Sequence, residues 1–445
     1  MTQSIKKGSK YLLSLSLMAF ISACGVDGNT GANSVESGSS QLVSATVIED
    51  VNTSTMLQVV QSSIDANATN AFGYKAVKIV YNTVGENGEA VEASGLLVIP
   101  TASTEYQAYL ASLGTAFSVS MINENHGTIF ANAEAPTNVE VYNGLPDYPS
   151  AVLMSGYAGF ASIIPDYIGF GDSNNVVHPY MLKKASARAS VDMIKASIKY
   201  MEDNGVVLNH QLYVSGYSQG GYNAMAVAES IENGALTNVN LMGVASMAGP
   251  HSIADLGDRE IDATHTMVYP AFLGYLADSY AYYYSDINLS DVVVESDTEM
   301  YHNLFDGSKD EFAIHAGLGL SVNGGFGYYK ADALFNDTFI NDYQNNVNSI
   351  ERSKFVENQS YSTTWTPKTK INLIHCVDDE IIPFSMSQNA FNDLNATGAD
   401  VTLSAIPSSY ISAETTATPF VHQRCGEVAY GTAITWFDNI RQGKI

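Results

Sequence analysis

The sequence predicts an α/β fold in which helices flank a mostly parallel sheet, with one large insertion between two strands. Three observations predict it. The pentapeptide Gly216-Tyr217-Ser218-Gln219-Gly220 lies between an apolar run typical of a strand and an Ala/Met-rich segment typical of a helix. Strand-like and helix-like segments alternate around it, as a parallel sheet requires. This alternation stops between about residues 252 and 368 and resumes at Lys370.

The pentapeptide predicts a sharp turn that lifts a serine above the end of a strand. The residues two before and two after that serine must lack a bulky Cβ, and Gly216 and Gly220 meet this need. The turn exposes the Ser218 hydroxyl and points the amide N–H of Gln219 at an oxyanion formed beside it. A chain with 35 glycines could contain the pentapeptide by chance, but its position between strand and helix favours the turn.

Before this turn, the residues predict a hairpin and a third strand. The hairpin strands are Ala76–Val84 and Ala93–Ile99, and the third strand is Ala116–Ile122. A loop containing His126-Gly127-Thr128 follows, at the place where enzymes with such a serine turn have a second oxyanion donor. We therefore expect the amide N–H of Gly127 or Thr128 to be that donor, although the same residues could form a plain turn.

Further segments complete the predicted sheet and its helices. A buried strand begins at Ala161, a helix is predicted from Ser186 to Met201, and strands are predicted at 241–247 and 401–406. The Gly169-Phe170-Gly171 sequence lacks the third glycine of a dinucleotide-binding fingerprint, so we interpret it as structural. A last helix runs through Trp436.

The insertion of residues 252–368 predicts a cap over the active site. It is rich in tyrosine, with Tyr269, Tyr275, Tyr280, Tyr282, Tyr283, Tyr284 and Tyr301. Clustered tyrosines could form an amphipathic lining that meets an apolar substrate. The alternative is a helical subdomain in which the tyrosines pack against one another.

A serine hydroxyl needs a base and a carboxylate that orients the base. In enzymes with this serine turn the chain order is Ser, then Asp or Glu, then His. Three acids, Asp378, Asp379 and Glu380, follow the strand that begins at Lys370. His422 is the only histidine beyond them, so it is the candidate base.

Several motifs together resemble the secretory lipase branch of the α/β-hydrolases. They are His126-Gly127-Thr128, Asp166-Tyr167 through Gly171, His178-Pro179-Tyr180, Gly216 to Gly221, and a late Asp379 and His422. The resemblance covers about residues 74–437 and is weak in the cap. It implies an α/β-hydrolase fold and hydrolysis of carboxylic esters through an acyl-enzyme, with no metal or organic cofactor. The stretch from His375 to Pro383 is similar to the His-x-x-x-Asp-x-x-Val-Pro pattern of many α/β-hydrolases, which favours Asp379 as the triad acid over Asp378.

The N-terminus has the pattern of a secretion signal. Three lysines precede an apolar run of residues 11–20, which is too short to span a bilayer. The tetrapeptide Ile21-Ser22-Ala23-Cys24 resembles the bacterial lipobox, which implies a signal peptide of residues 1–23 and lipid attachment at Cys24. The resemblance to Gram-negative lipoproteins implies delivery to the outer membrane, because Gly25 and not aspartate follows the cysteine. Residues 24–50 are predicted to be a flexible tether and residues 51–445 the catalytic domain.

Charge and cysteine content restrict the partners. The formal net charge is −26, and −29 once the three lysines of the signal are removed, which disfavours nucleic acid and anionic membrane surfaces as partners. Adaptation to a salty habitat explains this charge equally well. Cys376 lies three residues before Asp379, and Cys425 lies three residues after His422. If Asp379 and His422 are hydrogen-bonded, a disulfide between these cysteines is expected.

We therefore expect a serine carboxylic-ester hydrolase, of lipase or esterase type, that acts on apolar acyl esters and is anchored to the membrane by its N-terminal lipid. One alternative is a serine peptidase on the same fold that releases N-terminal or proline-linked residues. It would need a carboxylate in the pocket to hold the substrate amine. A non-catalytic surface lipoprotein that uses the fold for binding is the third hypothesis. The complete Ser, Asp and His set argues against it.

Overall fold

The computed structural model describes residues 41–139, 141–142, 145–146, 151–295, 297–320, 329–413 and 420–445. The predicted signal peptide, Cys24 and the tether up to residue 40 lie outside the described residues. Within the described ranges, no helix is long and apolar enough to cross a membrane.

A nine-stranded sheet forms the centre of the molecule, in the order β1-β2-β3-β7-β4-β8-β9-β10-β11. Its strands are β1 (Leu42–Val51), β2 (Gly73–Val84), β3 (Ala90–Thr101), β4 (Val119–Asn125), β7 (Phe160–Pro165), β8 (Leu208–Tyr217), β9 (Asn240–Met247), β10 (Lys370–Cys376) and β11 (Val401–Ile406). A separate short hairpin consists of β5 (Val141–Tyr142) and β6 (Leu145–Pro146). In this order, each strand from β7 through β4, β8, β9 and β10 to β11 is parallel to its neighbour. The remaining pairs, β1 with β2, β2 with β3 and β3 with β7, are antiparallel.

Helices surround this sheet and fill the insertion. Those outside the insertion are α1 (Thr53–Ser63), α2 (Thr104–Ser112), α3 (Lys183–Asp203), α4 (Gln219–Ser230), α12 (Phe384–Ala396) and α13 (Val421–Arg441). Those between β9 and β10 are α5 (Ile253–Glu260), α6 (Pro270–Tyr283), α7 (Leu289–Val292), α8 (Thr298–His302), α9 (Glu311–Gly317), α10 (Asp337–Asn345) and α11 (Ile350–Glu357). The insertion is therefore helical in its described part.

The predicted fold class, an α/β-hydrolase fold with a mostly parallel sheet, is confirmed. All residues of β4 and β7 are buried, as expected for parallel strands covered by helices on both faces. The carboxyl ends of β4, β8, β9 and β10 lie at the same edge of the sheet, because parallel strands share one direction. The loops that leave this edge carry the candidate catalytic residues.

The N-terminal boundary of the folded part differs from the prediction. The sequence assigned residues 24–50 to a flexible tether, but residues 42–50 belong to β1, which pairs antiparallel with β2. Most of its side chains are exposed, so the strand lacks the apolar alternation that would have marked it. Its backbone hydrogen bonds to the edge of β2 hold it in place.

Candidate active site

Ser218 lies at the turn between β8 and α4. Its backbone has φ 59° and ψ −120°, a strained conformation that a non-glycine residue adopts only where the surroundings enforce it. The Ser218 amide donates to the carbonyl of Met247 at 2.8 Å. A Cβ on Gly216 would lie 2.1 Å from the Gly220 carbonyl oxygen, and a Cβ on Gly220 would lie 1.9 Å from the Asn125 carbonyl oxygen. Both positions therefore require glycine, as the sequence predicted.

A chain of hydrogen bonds joins Ser218, His422 and Asp379. Nε2 of His422 is 3.0 Å from Oγ of Ser218, and Nδ1 of His422 is 2.6 Å from Oδ2 of Asp379. A proton on Nδ1 donates to the carboxylate, which leaves the Nε2 lone pair to accept the serine hydroxyl. The structure thus brings the predicted nucleophile, base and acid into hydrogen-bonding distance.

Four donors surround the Asp379 carboxylate. Its Oδ1 accepts the amide N–H groups of Ile381 at 3.0 Å and Ile382 at 2.9 Å. Its Oδ2 accepts from His422 and lies 3.3 Å from Nε2 of His375. Burial alone would raise the pKa of Asp379, but His422 and the hydrogen bonds hold it well below its ordinary value. Asp379 is therefore ionised at neutral pH.

The neighbouring Asp378, the alternative acid, points elsewhere. It is exposed and accepts a hydrogen bond from the hydroxyl of Ser408. The carboxylate that contacts His422 Nδ1 is that of Asp379, which is buried. The spacing from His375 to Pro383 therefore selected the acid that lies beside the imidazole.

The three predicted oxyanion donors lie around the start of α4. Gln219 begins that helix, and the loop of residues 126–128 packs against it, with the His126 carbonyl oxygen 2.7 Å from the place of a Cβ on Gly220. Across the described ranges, the backbone N–H groups of Gln219, Gly127 and Thr128 make no hydrogen bond to a backbone carbonyl. They are the N–H groups that the sequence predicts as oxyanion donors.

A buried histidine holds the Gln219 side chain. His178 Nδ1 lies 2.7 Å from the Ile168 carbonyl oxygen, and His178 Nε2 lies 3.2 Å from Nε2 of Gln219. Burial lowers the pKa of His178 to about 4, so the ring is neutral at pH 7. Nδ1–H then donates to Ile168, and Nε2 accepts from the Gln219 amide. No sequence pattern indicated this contact, because 41 residues separate the two side chains.

A cavity that includes Ser218 in its lining opens beside the serine turn. Its walls are mostly apolar. They come from the loops after β9 and β10, from α5 and from α6, and include Ile253, Leu256, Phe272, Leu273, Leu276 and Ile381. Such a lining suits an apolar ligand with few polar groups.

The structure distinguishes between the two alternatives for the cap tyrosines. Of the seven that could line the pocket, only Tyr269 does so among the described residues, joined there by Tyr180. Tyr275, Tyr280 and Tyr301 are buried in the core, and Tyr282 is 56% exposed. Tyr280 and Tyr283 of α6 instead hold the cap to the body, because their hydroxyls donate to the carbonyls of Met181 and Val177. The alternative of tyrosine packing therefore describes most of them.

Two carboxylates line the cavity, but both already have partners. Glu260 pairs with Arg259 at 2.7 Å, and burial raises its pKa to about 7 against the effect of that arginine. Glu380 accepts the amide N–H groups of Val421 at 2.8 Å and His422 at 3.2 Å. Each carboxylate of the cavity therefore already has a hydrogen-bonded or ionic partner within the protein.

The structure contains the disulfide that the sequence predicts. Cys376 at the end of β10 is bonded to Cys425 in α13, with their Cα atoms 6.0 Å apart. Both cysteines are fully buried. The bond links the strand that precedes Asp379 to the helix that carries His422.

The sequence profile of the secretory lipase family matches residues 150–444. Among curated protein sequences, no relative was found. Among solved structures, the chain is similar to a mutant of the rice cell wall degrading esterase LipA from Xanthomonas oryzae, with a TM-score of 0.75 and 20% identity over 91% of this chain and 99% of that chain. A putative hydrolase from Legionella pneumophila has a TM-score of 0.73 and 18% identity, over 91% and 99% of the two chains. Candida antarctica lipase A in its closed state has a TM-score of 0.55 and 14% identity, over 82% and 76%.

Proposed function

The chain belongs to the secretory lipase family, and from this premise we propose that it is a serine carboxylic-ester hydrolase that acts through an acyl-enzyme. One observation carries the proposal. Hydrogen bonds join Ser218 to His422 and His422 to Asp379, and Ser218 lines a cavity with mostly apolar walls. A nucleophile, a base and an orienting acid, beside an apolar acyl pocket, are the parts that ester hydrolysis requires.

In the acylation step, Oγ of Ser218 attacks the ester carbonyl while Nε2 of His422 takes the hydroxyl proton. The buried Asp379 carboxylate stabilises the imidazolium that forms. The amide N–H groups of Gln219 and of Gly127 or Thr128 stabilise the tetrahedral oxyanion, each contributing about 3 kcal/mol. The proton on Nε2 then passes to the leaving alcohol, which departs and leaves the acyl group on Ser218.

Deacylation repeats these steps with water. His422 takes a proton from the water as its oxygen attacks the acyl-enzyme, and a second tetrahedral intermediate occupies the same oxyanion site. Collapse of this intermediate returns the proton to Oγ of Ser218 and releases the carboxylic acid. The residues are then in their starting state.

The pocket favours an apolar acyl ester over a peptide. A peptidase that binds a free N-terminus needs a carboxylate available to the substrate ammonium. The two carboxylates of the cavity, Glu260 and Glu380, are engaged by Arg259 and by the backbone at the start of α13. Burial of an acyl chain against the surrounding apolar walls stabilises the bound ester by about 0.8 kcal/mol per methylene.

Two assays on one set of variants test this function. Wild type, Ser218→Ala and the control Ser112→Ala, which changes an exposed serine of α2, are incubated with a fluorophosphonate probe. The same proteins are assayed on p-nitrophenyl esters and on aminoacyl p-nitroanilides. We expect wild type and the control to be labelled and to cleave esters, and Ser218→Ala to lose both properties, with kcat at least about 10⁴-fold lower. Equal labelling of Ser218→Ala, or cleavage of the anilides alone, would exclude this function.

We further propose that the enzyme is a lipoprotein of the cell envelope, anchored through Cys24 and directed to the outer membrane. The lipobox-like tetrapeptide at residues 21–24 and Gly25 support this. In bacteria fed an alkyne-bearing fatty acid, the wild-type protein should acquire the alkyne and sediment with outer membranes. Cys24→Ala should remain unlabelled. A wild-type protein without the alkyne would refute lipidation.

A further inference from the structure

Adjacent carboxylates hold His422 at two different places. Asp379 contacts the imidazole at Nδ1, 2.6 Å away. The next residue, Glu380, contacts the backbone of the same histidine. Its Oε2 accepts the amide N–H of His422 at 3.2 Å, and its Oε1 accepts that of Val421 at 2.8 Å. The ring and the main chain of His422 are therefore both fixed by one short segment after β10.

The start of α13 explains why these contacts matter. The first N–H groups of a helix have no acceptor inside the helix and carry a partial positive charge. A side-chain acceptor from the preceding residue usually satisfies one of them, but here that residue is Phe420, which has none. The Glu380 carboxylate replaces it from 41 residues away in the chain. It therefore sets where the helix begins, and His422 lies in that first turn.

The cap also contacts the same segment. In α5, the guanidinium of Arg259 donates from Nη2 to the Glu380 carbonyl at 3.0 Å and from Nη1 to the Ile381 carbonyl at 3.1 Å. Arg259 also pairs with Glu260. A planar guanidinium that contacts two successive carbonyls restrains the direction of the backbone between them. Arg259 thus fixes the backbone from which the acids at 379 and 380 extend.

The disulfide makes it possible to distinguish a role of Glu380 in maintaining the fold from a role in orienting His422. Because Cys376 and Cys425 are bonded, the loop after β10 and the start of α13 stay close together even without the Glu380 carboxylate. Its loss should therefore leave the fold in place. What it should change is the orientation of the first turn of α13, and with it the distance from His422 Nε2 to Ser218 Oγ.

We propose that Glu380 is a positioning residue of this enzyme, which aligns His422 with Ser218 by holding the first turn of α13, while Asp379 aligns the imidazole ring. This role rests on the proposed serine hydrolase function. A shift of about 1 Å in a reacting group can cost about 100-fold in rate. Glu380 also lines the cavity, but its two carboxylate oxygens accept from the start of α13, so we expect its loss to affect the chemical step more than substrate binding.

The test compares Glu380→Ala and Glu380→Gln with Asp378→Asn. The control removes a charge two positions earlier, from an exposed side chain that does not contact His422. For each variant, kcat and KM on a p-nitrophenyl ester are measured, together with the rate of fluorophosphonate labelling at Ser218 and the thermal midpoint Tm. We expect kcat and the labelling rate to fall about 10- to 100-fold in Glu380→Ala. Glu380→Gln, which keeps one acceptor oxygen, should recover part of this loss.

In the same experiment KM should change by less than about threefold, and Asp378→Asn should match wild type. If Glu380→Ala does not fold, Glu380→Gln decides by the same readouts. Unchanged kcat and labelling in a folded variant would overturn the positioning role of Glu380 and would leave the proposed serine hydrolase function in place. A loss that appears in KM or Tm, with kcat retained, would also overturn it. Labelling does not need an ester substrate, so a wild type that is labelled but cleaves no ester would refute the proposed substrate class and not the role of Glu380.

Discussion

Cys376 and Cys425 form a disulfide between the two elements that bring Asp379 and His422 together. The strand β10 ends at Cys376, three residues before the acid, and α13 contains Cys425 one turn after the histidine. The two halves of the Asp379–His422 contact are thus covalently linked by neighbours in the chain. This link reduces the freedom of the acid and base relative to each other in the folded protein.

Removing the disulfide should destabilise the protein and reduce its activity. The bond closes a loop with a sequence separation of 49 residues, for which the chain-entropy treatment gives about 4 kcal/mol. Denaturant unfolding of the Cys376→Ala/Cys425→Ala double variant should show this loss. Its kcat on a p-nitrophenyl ester should fall as well. Wild type treated with a reductant is the control and should behave like the variant, whereas equal stability of oxidised and reduced wild type would contradict the prediction.

Alanine at position 220 should abolish the geometry of the serine turn. Its Cβ would lie 1.9 Å from the carbonyl oxygen and 2.5 Å from the carbonyl carbon of Asn125, and both are backbone atoms that cannot rotate away. We expect Gly220→Ala to lose at least about 100-fold in kcat, because Ser218 and the proposed oxyanion donors must move apart. The measurement is ester hydrolysis together with fluorophosphonate labelling.

A matched control for this variant is Gly431→Ala in α13. A Cβ at Gly431 meets nothing within 4 Å, and alanine favours a helix over glycine by about 1 kcal/mol. This variant should keep full activity and gain slightly in Tm. Full activity of Gly220→Ala would show that the turn can relax, and would remove the steric reason for glycine there.

The positions of Ser218, Asp379 and His422 could be predicted from the sequence because each carries a local signal. Ser218 is flanked by two glycines that only a tight turn requires, and His422 is the last histidine of the chain. Asp379 lies at a fixed spacing from Pro383. Chain order then predicts their roles, since the sheet brings the ends of its parallel strands to one edge.

Contacts without a local signal could not be predicted. Glu380 caps a helix from 41 residues away, and Arg259 reaches the same segment from the cap. Neither pairing leaves a pattern near either residue. The edge strand β1 was missed because its exposed side chains lack alternation, and the tyrosines of α6 could face the cavity or the body equally well. The Glu380 and Arg259 contacts, the pairing of β1 and the orientation of the α6 tyrosines all depend on tertiary packing.

The chain-length preference of the proposed esterase should depend on Leu276. This residue of α6 lines the cavity above Ser218. In Leu276→Trp the larger side chain fills space that a long acyl chain would use, so kcat/KM should fall at least about tenfold for long-chain p-nitrophenyl esters and little for acetate or butyrate. Tyr282→Trp, at an exposed position of the same helix, is the control and should leave the series unchanged. An equal loss for short and long esters would show that Leu276 does not contact the acyl chain.

His178 should make the folded protein sensitive to acid. Burial lowers its pKa from 6.5 to about 4, so the unfolded chain takes up a proton at a higher pH than the folded protein does. The stabilising contribution is therefore fully present above pH 6.5 and is lost as the pH falls from 6.5 to 4. At about 1.4 kcal/mol per pKa unit, the loss is about 3 kcal/mol. In His178→Gln, denaturant unfolding at a series of pH values should show a smaller loss over this range than in wild type.

His302 provides a control of opposite sign. Its hydrogen bond with Asp278, at 3.0 Å, raises the pKa of His302 above the ordinary value. The folded protein therefore binds this proton more tightly than the unfolded chain, and the contribution is present below pH 6.5 and lost as the pH rises through the raised pKa. His302→Gln should consequently lose more stability than wild type on acidification, whereas His178→Gln should lose less. Both variants are compared with wild type by the slope of the free energy of unfolding against pH, because replacing the packed His178 ring also lowers stability at neutral pH. Parallel curves for wild type and His178→Gln would mean that the His178 proton does not couple to unfolding.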